Sequence, residues 1–156
     1  MDTKALTIRP AGQDDLDAMV SLLQALFAIE ADFTPDPERQ RQGLARFLES
    51  CGKHRCILVA EVDHRVVAMA TVQILISTAQ GGPVGLMEDV VVREDLRGRG
   101  VGRRLVNALV EWAADRGLTR LQLLADDRNR PALDFYRKMG WHTTQLLCLR
   151  YLPTAS

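Results

Sequence analysis

The chain has 156 residues, 47% of them hydrophobic and 26% charged, with a formal net charge of zero. This length fits a single domain over residues 1–156 with a sizeable core, and the balanced charge gives no electrostatic reason to expect a nucleic-acid or membrane partner. The apolar runs are too short for a transmembrane helix, the N-terminus has no apolar signal core, and the three cysteines form no metal-ligand spacing, so we expect a cytoplasmic protein with no metal.

The first half of the chain alternates between strand and helix patterns. Strand-like segments occur over residues 6–9, 56–62, 66–76 and 86–92. Two amphipathic helices, one beginning at about Asp14 and one over 38–50, follow the first strand. A tight turn at 63–65 joins the second and third strands, and a Gly/Pro-rich loop over 79–85 precedes the fourth.

The second half continues with a helix from Val101 to about Arg116, which Gly117 ends. Further elements are a buried strand over 118–125, a helix capped by Asn129 that runs to Met139, and one or two final strands over 141–152. The order predicts an α/β fold of the mixed α+β kind, with a single central mixed β-sheet flanked by helices.

The run Arg97-Gly98-Arg99-Gly100-Val101-Gly102 separates the strand over 86–92 from the helix that follows. Backbone N–H groups and the helix dipole favour an anion at a helix start, and glycine lets the backbone approach it closely. The run lacks the third glycine of a dinucleotide fingerprint and the Gly-Lys-Ser/Thr ending of a Walker A loop. It therefore predicts a different kind of phosphate-bearing ligand.

Two segments carry a family resemblance. The R-x-x-G-x-G spacing from Arg97 resembles the coenzyme A pyrophosphate loop of the GNAT acetyltransferase superfamily. The segment Asn129-x-x-Ala132-x-x-Phe135-Tyr136-x-x-x-Gly140-Trp141, one helix and one strand later, is similar to a second pattern of that family. The resemblance covers the whole chain and implies a GNAT-like acyl-CoA N-acyltransferase fold. It also implies an acetyl-CoA-dependent N-acetyltransferase that acts by direct attack of a bound primary amine in a ternary complex.

The same resemblance implies the acetyl-CoA site. Its residues would be Val90, Val91, Val92, Arg97, Gly98, Arg99, Gly100, Val101, Gly102, Arg103, Asn129, Ala132 and Tyr136. The valines would contribute backbone groups while their side chains join the core. For Arg103, the alternative to a coenzyme contact is a solvated position on the helix surface. Tyr136 would be the catalytic general acid, since a phenol of pKa ~10 can protonate a thiolate of pKa ~8.5; its alternative role is half-buried packing.

Two carboxylates, Glu88 and Asp89, stand in an otherwise apolar strand. Alternation predicts Glu88 on one face and Asp89, with Met87 and Val91, on the other. The resemblance makes Glu88 the first candidate for receiving the proton of the substrate ammonium and Asp89 the second. Because a carboxylate of pKa ~4.3 is a weak base, Glu88 would act through water or bind the cation. The alternative is an ion pair with an arginine, Arg93 or Arg97.

The acceptor pocket implied by the resemblance lies around the first two helices. Its candidate residues are Phe27, Glu30, Phe33, Glu88 and Asp89, an acidic and aromatic set that suits a small cationic amine. A peptide or protein amine, and an acyl group larger than acetyl, remain open. The alternative function is an acyl-CoA-binding sensor with little catalysis. The resemblance also implies a homodimer.

Overall fold

A computed structural model describes residues 5–30 and 34–154. The strands are β1 (Thr7–Pro10), β2 (Arg55–Val62), β3 (Arg65–Ser77), β4 (Gly82–Val92) and β5 (Leu121–Leu123). The helices are α1 (Leu16–Ile29), α2 (Pro37–Glu49), α3 (Val101–Asp115) and α4 (Arg130–Lys138). They fall into two compact units, residues 1–123 and 124–156, so that the whole sheet belongs to the first unit and α4 to the second.

The five strands of the first unit form one sheet in the order β1-β2-β3-β4-β5. The first four strands are antiparallel neighbours, and β5 runs parallel to β4. The tight turn between β2 and β3 is confirmed: Asp63 and His64 have φ of 50° and 60°, as a two-residue hairpin requires. The structure thus confirms a mixed sheet.

Helices cover both faces of this sheet. On one face, α1 and α2 pack on a core that includes Met19, Leu23, Leu44, Val59 and Met69. The β2 residues that alternate with Val59 are also buried, although they point to the opposite face. On that face, the apolar side of α3 packs on β2, β3 and β4. Since successive side chains of a strand point to opposite faces, both faces are excluded from water.

Strand β4 begins earlier than the sequence predicted. The loop expected over 79–85 is wrong in its second half, because Gly82 pairs with Ser77 and Pro83 with Ile76. A proline is tolerated near the start of a strand, where one missing N–H costs little. Pairing with the long β3 therefore overrides the local Gly/Pro signal.

Gly85 is the point of closest approach between β4 and its neighbours. A Cβ at this position would lie 2.5 Å from a methyl carbon of Leu121 and 3.0 Å from methyl carbons of Leu118 and Val72. We expect Gly85→Ala to lower the free energy of unfolding by about 1–3 kcal/mol through overpacking, as measured by urea denaturation. Gly82→Ala is the matched control on the same strand, because its Cβ would meet nothing within 4 Å. Equal stabilities of the two variants would contradict the expectation.

The strands predicted after α3 are shorter or absent. The strand expected over 118–125 is only Leu121–Leu123, and among the described residues 141–152 there is no strand, so the prediction of final strands is wrong. Leu147 and Leu149 are 85% and 91% exposed. Apolar alternation indicates that a segment would fit a half-buried sheet surface. A strand also needs a hydrogen-bonded neighbour, and the alternation does not identify one.

Candidate active site

The centre of the first unit's site is a β-bulge in β4. Thr71 of β3 pairs with Glu88 and Met69 pairs with Val91, so Ala70 lies opposite two residues, Asp89 and Val90. Asp89 has a φ of 52°. The first residue of a bulge with this left-handed conformation is ordinarily glycine. A carboxylate side chain therefore occupies a position whose left-handed backbone favours glycine.

The bulge changes which side chains share a face. Met69 and Thr71 lie two residues apart on β3 and share a face, so their partners Val91 and Glu88 share it as well. The alternation prediction, which put Glu88 and Val91 on opposite faces, is wrong because the extra residue shifts the phase. Val91 packs in the core beneath α1 and α2, so Glu88 lies on the α1 side of the sheet.

The environment of Asp89 favours its neutral form. Burial, with the charges of Glu88 and Glu30 as lesser causes, raises the pKa of this carboxyl from 3.8 to about 7. A carboxyl that titrates near neutral pH is well suited to accept a proton there. Its pKa is about three units above that of an ordinary carboxylate. Proton transfer to it from an ammonium of pKa ~10.4 is therefore less unfavourable by the same amount.

The arginines near the end of β4 bind elsewhere. The Arg93 guanidinium pairs with Asp95 at 2.6 Å, and Nε of Arg97 donates to the carbonyl oxygen of Val92 at 2.9 Å. The alternative of an ion pair between Arg93 and the β4 carboxylates is therefore not what the structure shows. Glu88 is exposed, and Asp89 is partly buried.

The acceptor candidates on α1 lie near this bulge. Glu30 follows the last residue of α1 and is close enough to Asp89 to raise its pKa. Phe27, one turn earlier, is partly buried against the core cluster. Phe33 lies outside the described residues. The structure thus brings Glu30, Glu88 and Asp89 together.

Beyond the bulge, β4 parts from β5. Their parallel pairing covers only Gly85–Met87 of β4 against Leu121–Leu123. The last five residues of β4 extend past it, and they include Val90, Val91 and Val92. Val91 is a core residue with 4% exposure, so any contact it makes with a ligand must come from its backbone. The β4–β5 pairing therefore does not engage the backbone groups of Val90, Val91 or Val92.

The glycine-arginine run forms the start of α3. Gly98 and Gly100 have φ of 73° and 82°, and a Cβ on either would meet nothing within 4 Å. The first intrahelical hydrogen bond joins the Arg104 N–H to the Gly100 carbonyl, which leaves the N–H groups of Val101, Gly102 and Arg103 as the helix start. A glycine-rich helix start thus lies where the sequence predicted one, and Arg97, Arg99 and Arg103 are exposed around it.

The second unit contains the other predicted ligand segment. The Asn129 side-chain oxygen accepts a hydrogen bond from the Ala132 N–H at 3.3 Å, which confirms Asn129 as the N-cap of α4. Tyr136 packs edge-on against Trp141 with ring centroids 5.6 Å apart, and the Trp141 N–H donates to the Tyr136 carbonyl. These contacts fix the Tyr136 ring within this unit, and the ring is only partly buried.

Thr71 belongs to no motif of the sequence. The residue is 1% exposed, and its hydroxyl donates a hydrogen bond to the Glu88 carbonyl. The available signal was a lone hydroxyl within an apolar strand. The described residues contain no group of three His, Cys, Asp or Glu side chains arranged to hold a metal ion. Nor does any described helix have the length and apolar character of a membrane span.

An antiparallel sheet with one parallel strand, a bulged β4 and a glycine-rich start of α3 together define an acyltransferase-like fold. Residues 23–141 match the model of the acetyltransferase (GNAT) family. The chain belongs to this family.

Individual relatives agree with this assignment. An uncharacterised N-acetyltransferase of Methanocaldococcus jannaschii is 26% identical over 92% of this chain; the chain spans only 64% of that protein's length. An aminoglycoside N(6')-acetyltransferase type 1 of Serratia marcescens is 26% identical over 85% of this chain and 88% of its own length. Among solved structures, one titled a transcriptional regulator from Bacillus halodurans is 25% identical, with a TM-score of 0.80 and coverage of 95% of this chain and 100% of that one.

Proposed function

We propose that this protein is an acetyl-CoA-dependent N-acetyltransferase that acetylates a primary amine of a small molecule in a ternary complex. The observation that carries the proposal is the β4 bulge, where burial and two neighbouring carboxylates raise the pKa of Asp89 to about 7. After a short 3-10 turn, Glu94–Leu96, this strand is followed by the anion cradle at the start of α3. A proton acceptor on the strand and an anion site at the next helix are what this reaction needs.

Acetyl-CoA supplies the acetyl group as an activated thioester. The N–H groups of Val101, Gly102 and Arg103 would hold its pyrophosphate, assisted by the charges of Arg97 and Arg99. Backbone N–H groups of Val90 and Val92, which lie past the β4–β5 pairing, would hold the pantetheine arm and polarise the thioester carbonyl. The family resemblance adds Asn129 and Ala132 as coenzyme A contacts, and within the second unit the Asn129 oxygen caps α4.

The cradle depends on Gly100, whose φ of 82° is left-handed. We expect Gly100→Ala to weaken coenzyme A binding about tenfold, because a Cβ in this conformation costs roughly 1–2 kcal/mol and tends to turn the N–H groups away. Isothermal titration with coenzyme A measures the change. Gly43→Ala is the matched control, since Gly43 lies in α2 with open space around it and a Cβ there adds helix propensity. Equal affinities of both variants would contradict the role of the cradle.

Asp89 would accept the proton of the attacking amine. An amine attacks only as the neutral base, and a carboxyl whose pKa is about 7 is about half ionised at neutral pH and is more basic than an ordinary carboxylate. This reverses the order that the sequence favoured, in which Glu88 came first. Glu88, being exposed beside it, would attract and orient the cation.

Tyr136 would donate a proton to the departing thiolate of coenzyme A. Its ring is held by Trp141, and a phenol can protonate a thiolate with only a modest difference in pKa. No cysteine lies in the proposed site residues, which supports direct transfer rather than a covalent acetyl-enzyme.

The acceptor would be a small primary amine with positive charge. Three carboxylates, Glu30, Glu88 and Asp89, lie near one another at the end of α1 and the β4 bulge. A cationic amine is attracted to such a site, and the bacterial relative named as an aminoglycoside acetyltransferase is consistent with this chemistry. Phe27 would provide an apolar contact beside the amine.

The test is release of free thiol from acetyl-CoA in the presence of a panel of polyamines, amino acids, aminoglycosides and lysine peptides. We expect release with at least one small amine and slower release with peptides. Propionyl-CoA in the same assay reports the acyl preference. Amine-independent release, or none, combined with tight coenzyme A binding would favour the sensor function instead. One structural relative is titled a transcriptional regulator, which is the observation that favours this second candidate.

We further propose that the protein forms a homodimer, as the family resemblance implies. The exposed leucines of the second unit, among them Leu146, Leu147 and Leu149, are a suitable apolar surface. Sedimentation equilibrium of the wild-type protein checks the proposal, and a monomer at all concentrations would contradict it.

A further inference from the structure

The part of β3 that lies next to the bulge is a buried apolar run with one polar residue. From Val67 to Val72 every residue is apolar except Thr71, and all six are at most 1% exposed. Burial of a hydroxyl is unfavourable unless it is hydrogen-bonded. A valine would have the same shape without this cost, so the hydroxyl of Thr71 calls for a structural reason.

The hydroxyl has a defined partner. Oγ1 of Thr71 donates to the carbonyl oxygen of Glu88 at 3.1 Å. This carbonyl belongs to the peptide group that joins Glu88 to Asp89, and rotation of that peptide group changes ψ of Glu88 and φ of Asp89 together. The hydrogen bond therefore resists the rotation that would release Asp89 from its left-handed φ of 52°.

We propose that Thr71 is a positioning residue that holds the Asp89 carboxylate at the bulge by fixing the Glu88–Asp89 peptide. The inference rests on the proposed function, in which Asp89 accepts a proton. The charged groups that act on Asp89 are Glu88 on its own strand and Glu30 at the end of α1. Thr71 is neutral and belongs to β3, so its effect on Asp89 is one of geometry rather than charge.

The test compares Thr71→Val, which removes the hydroxyl, with Thr71→Ser, which retains it. We expect Thr71→Val to lower kcat about tenfold or more through misplacement of the carboxylate, with KM for acetyl-CoA within about twofold of wild type and the acidic limb of the pH–rate profile moved to lower pH. That shift follows because a carboxyl released toward water loses the burial that raises its pKa. Thr71→Ser should restore kcat and the pH profile, and a crystal structure of Thr71→Val should show Asp89 with a negative φ.

Three outcomes would overturn the proposal. One is a wild-type kcat and pH profile in Thr71→Val, another is equal impairment of Thr71→Ser, and the third is an unchanged φ at Asp89. If Thr71→Val does not fold, Thr71→Ala takes its place in the same comparison, since alanine also lacks the hydroxyl.

A double variant separates this proposal from the proposed function. In an Asp89→Asn background, Thr71→Val should lower kcat no further, because the group it positions has been neutralised. A full additional tenfold loss would show that Thr71 acts otherwise, and the positioning role would fail. Wild-type activity of Asp89→Asn alone would instead refute Asp89 as the proton acceptor.

Discussion

Asp89→Asn is expected to lower kcat by about 10²–10⁴-fold, the range that a general base ordinarily contributes. The amide has the same shape and keeps the bulge, but it accepts no proton at neutral pH. The loss should appear in kcat with the amine acceptor, while the affinity for coenzyme A stays close to that of wild type. Stopped-time thiol release over about pH 6–9 measures it, and the wild-type rate should rise through the Asp89 pKa of about 7.

The same variant should be more stable than wild type, in a pH-dependent way. Because the folded-state pKa of Asp89 is raised, ionisation of this group destabilises the fold. Wild-type stability should therefore fall as the pH rises from about 4 to 7, and the variant should not show this part of the decrease. The advantage of Asp89→Asn is absent below about pH 4 and complete above pH 7, at most about 4 kcal/mol. Urea denaturation at several pH values tests the sign.

Two further variants serve as controls. Glu88→Gln removes the neighbouring exposed charge and should reduce kcat far less than Asp89→Asn, with most of its effect on KM for a cationic amine. Asp89→Gly removes the side chain and also suits the φ of 52°, so it should be inactive yet the most stable of the three. If Glu88→Gln instead shows the larger kcat loss, Glu88 is the proton acceptor and the order inferred from the sequence is right.

Local patterns predicted the parts of the site that are determined locally. Asn129 as a helix cap and the glycines before α3 depend on a few consecutive residues, and the structure confirms them. The bulge depends on a second strand, because it exists only where Ala70 faces two residues of β4. Period-two alternation contains no information about that partner, so the faces of Glu88 and Val91 were assigned wrongly.

The final strands illustrate the same limit in a longer segment. Residues 141–152 contain the apolar side chains typical of strands, but pairing is a property of two segments, and the described structure shows none there. Thr71 lay within a correctly predicted strand, yet its importance follows only from the carbonyl across the ladder. Local sequence patterns therefore predict caps and turns correctly. They do not predict features that depend on the register between distant segments, such as the bulge.

Tyr136→Phe is expected to lower kcat by about 10²-fold or more, since it removes only the hydroxyl that would donate a proton to the thiolate. The ring contact with Trp141 does not involve the hydroxyl, so the local packing of the second unit should persist. Coenzyme A affinity should change by no more than about threefold if the hydroxyl acts mainly in the transition state. Steady-state thiol release and isothermal titration measure the two quantities.

The chain supplies its own control, because its other tyrosine, Tyr151, is 86% exposed. Tyr151→Phe makes the same chemical change outside the proposed site and should leave kcat near wild type. The pH dependence gives a second criterion. A general acid must be protonated to donate, so the wild-type rate should fall at alkaline pH, and Tyr136→Phe should lack that decrease. If Tyr136→Phe keeps both the wild-type turnover and the alkaline limb, the leaving thiolate takes its proton from another group or departs unprotonated.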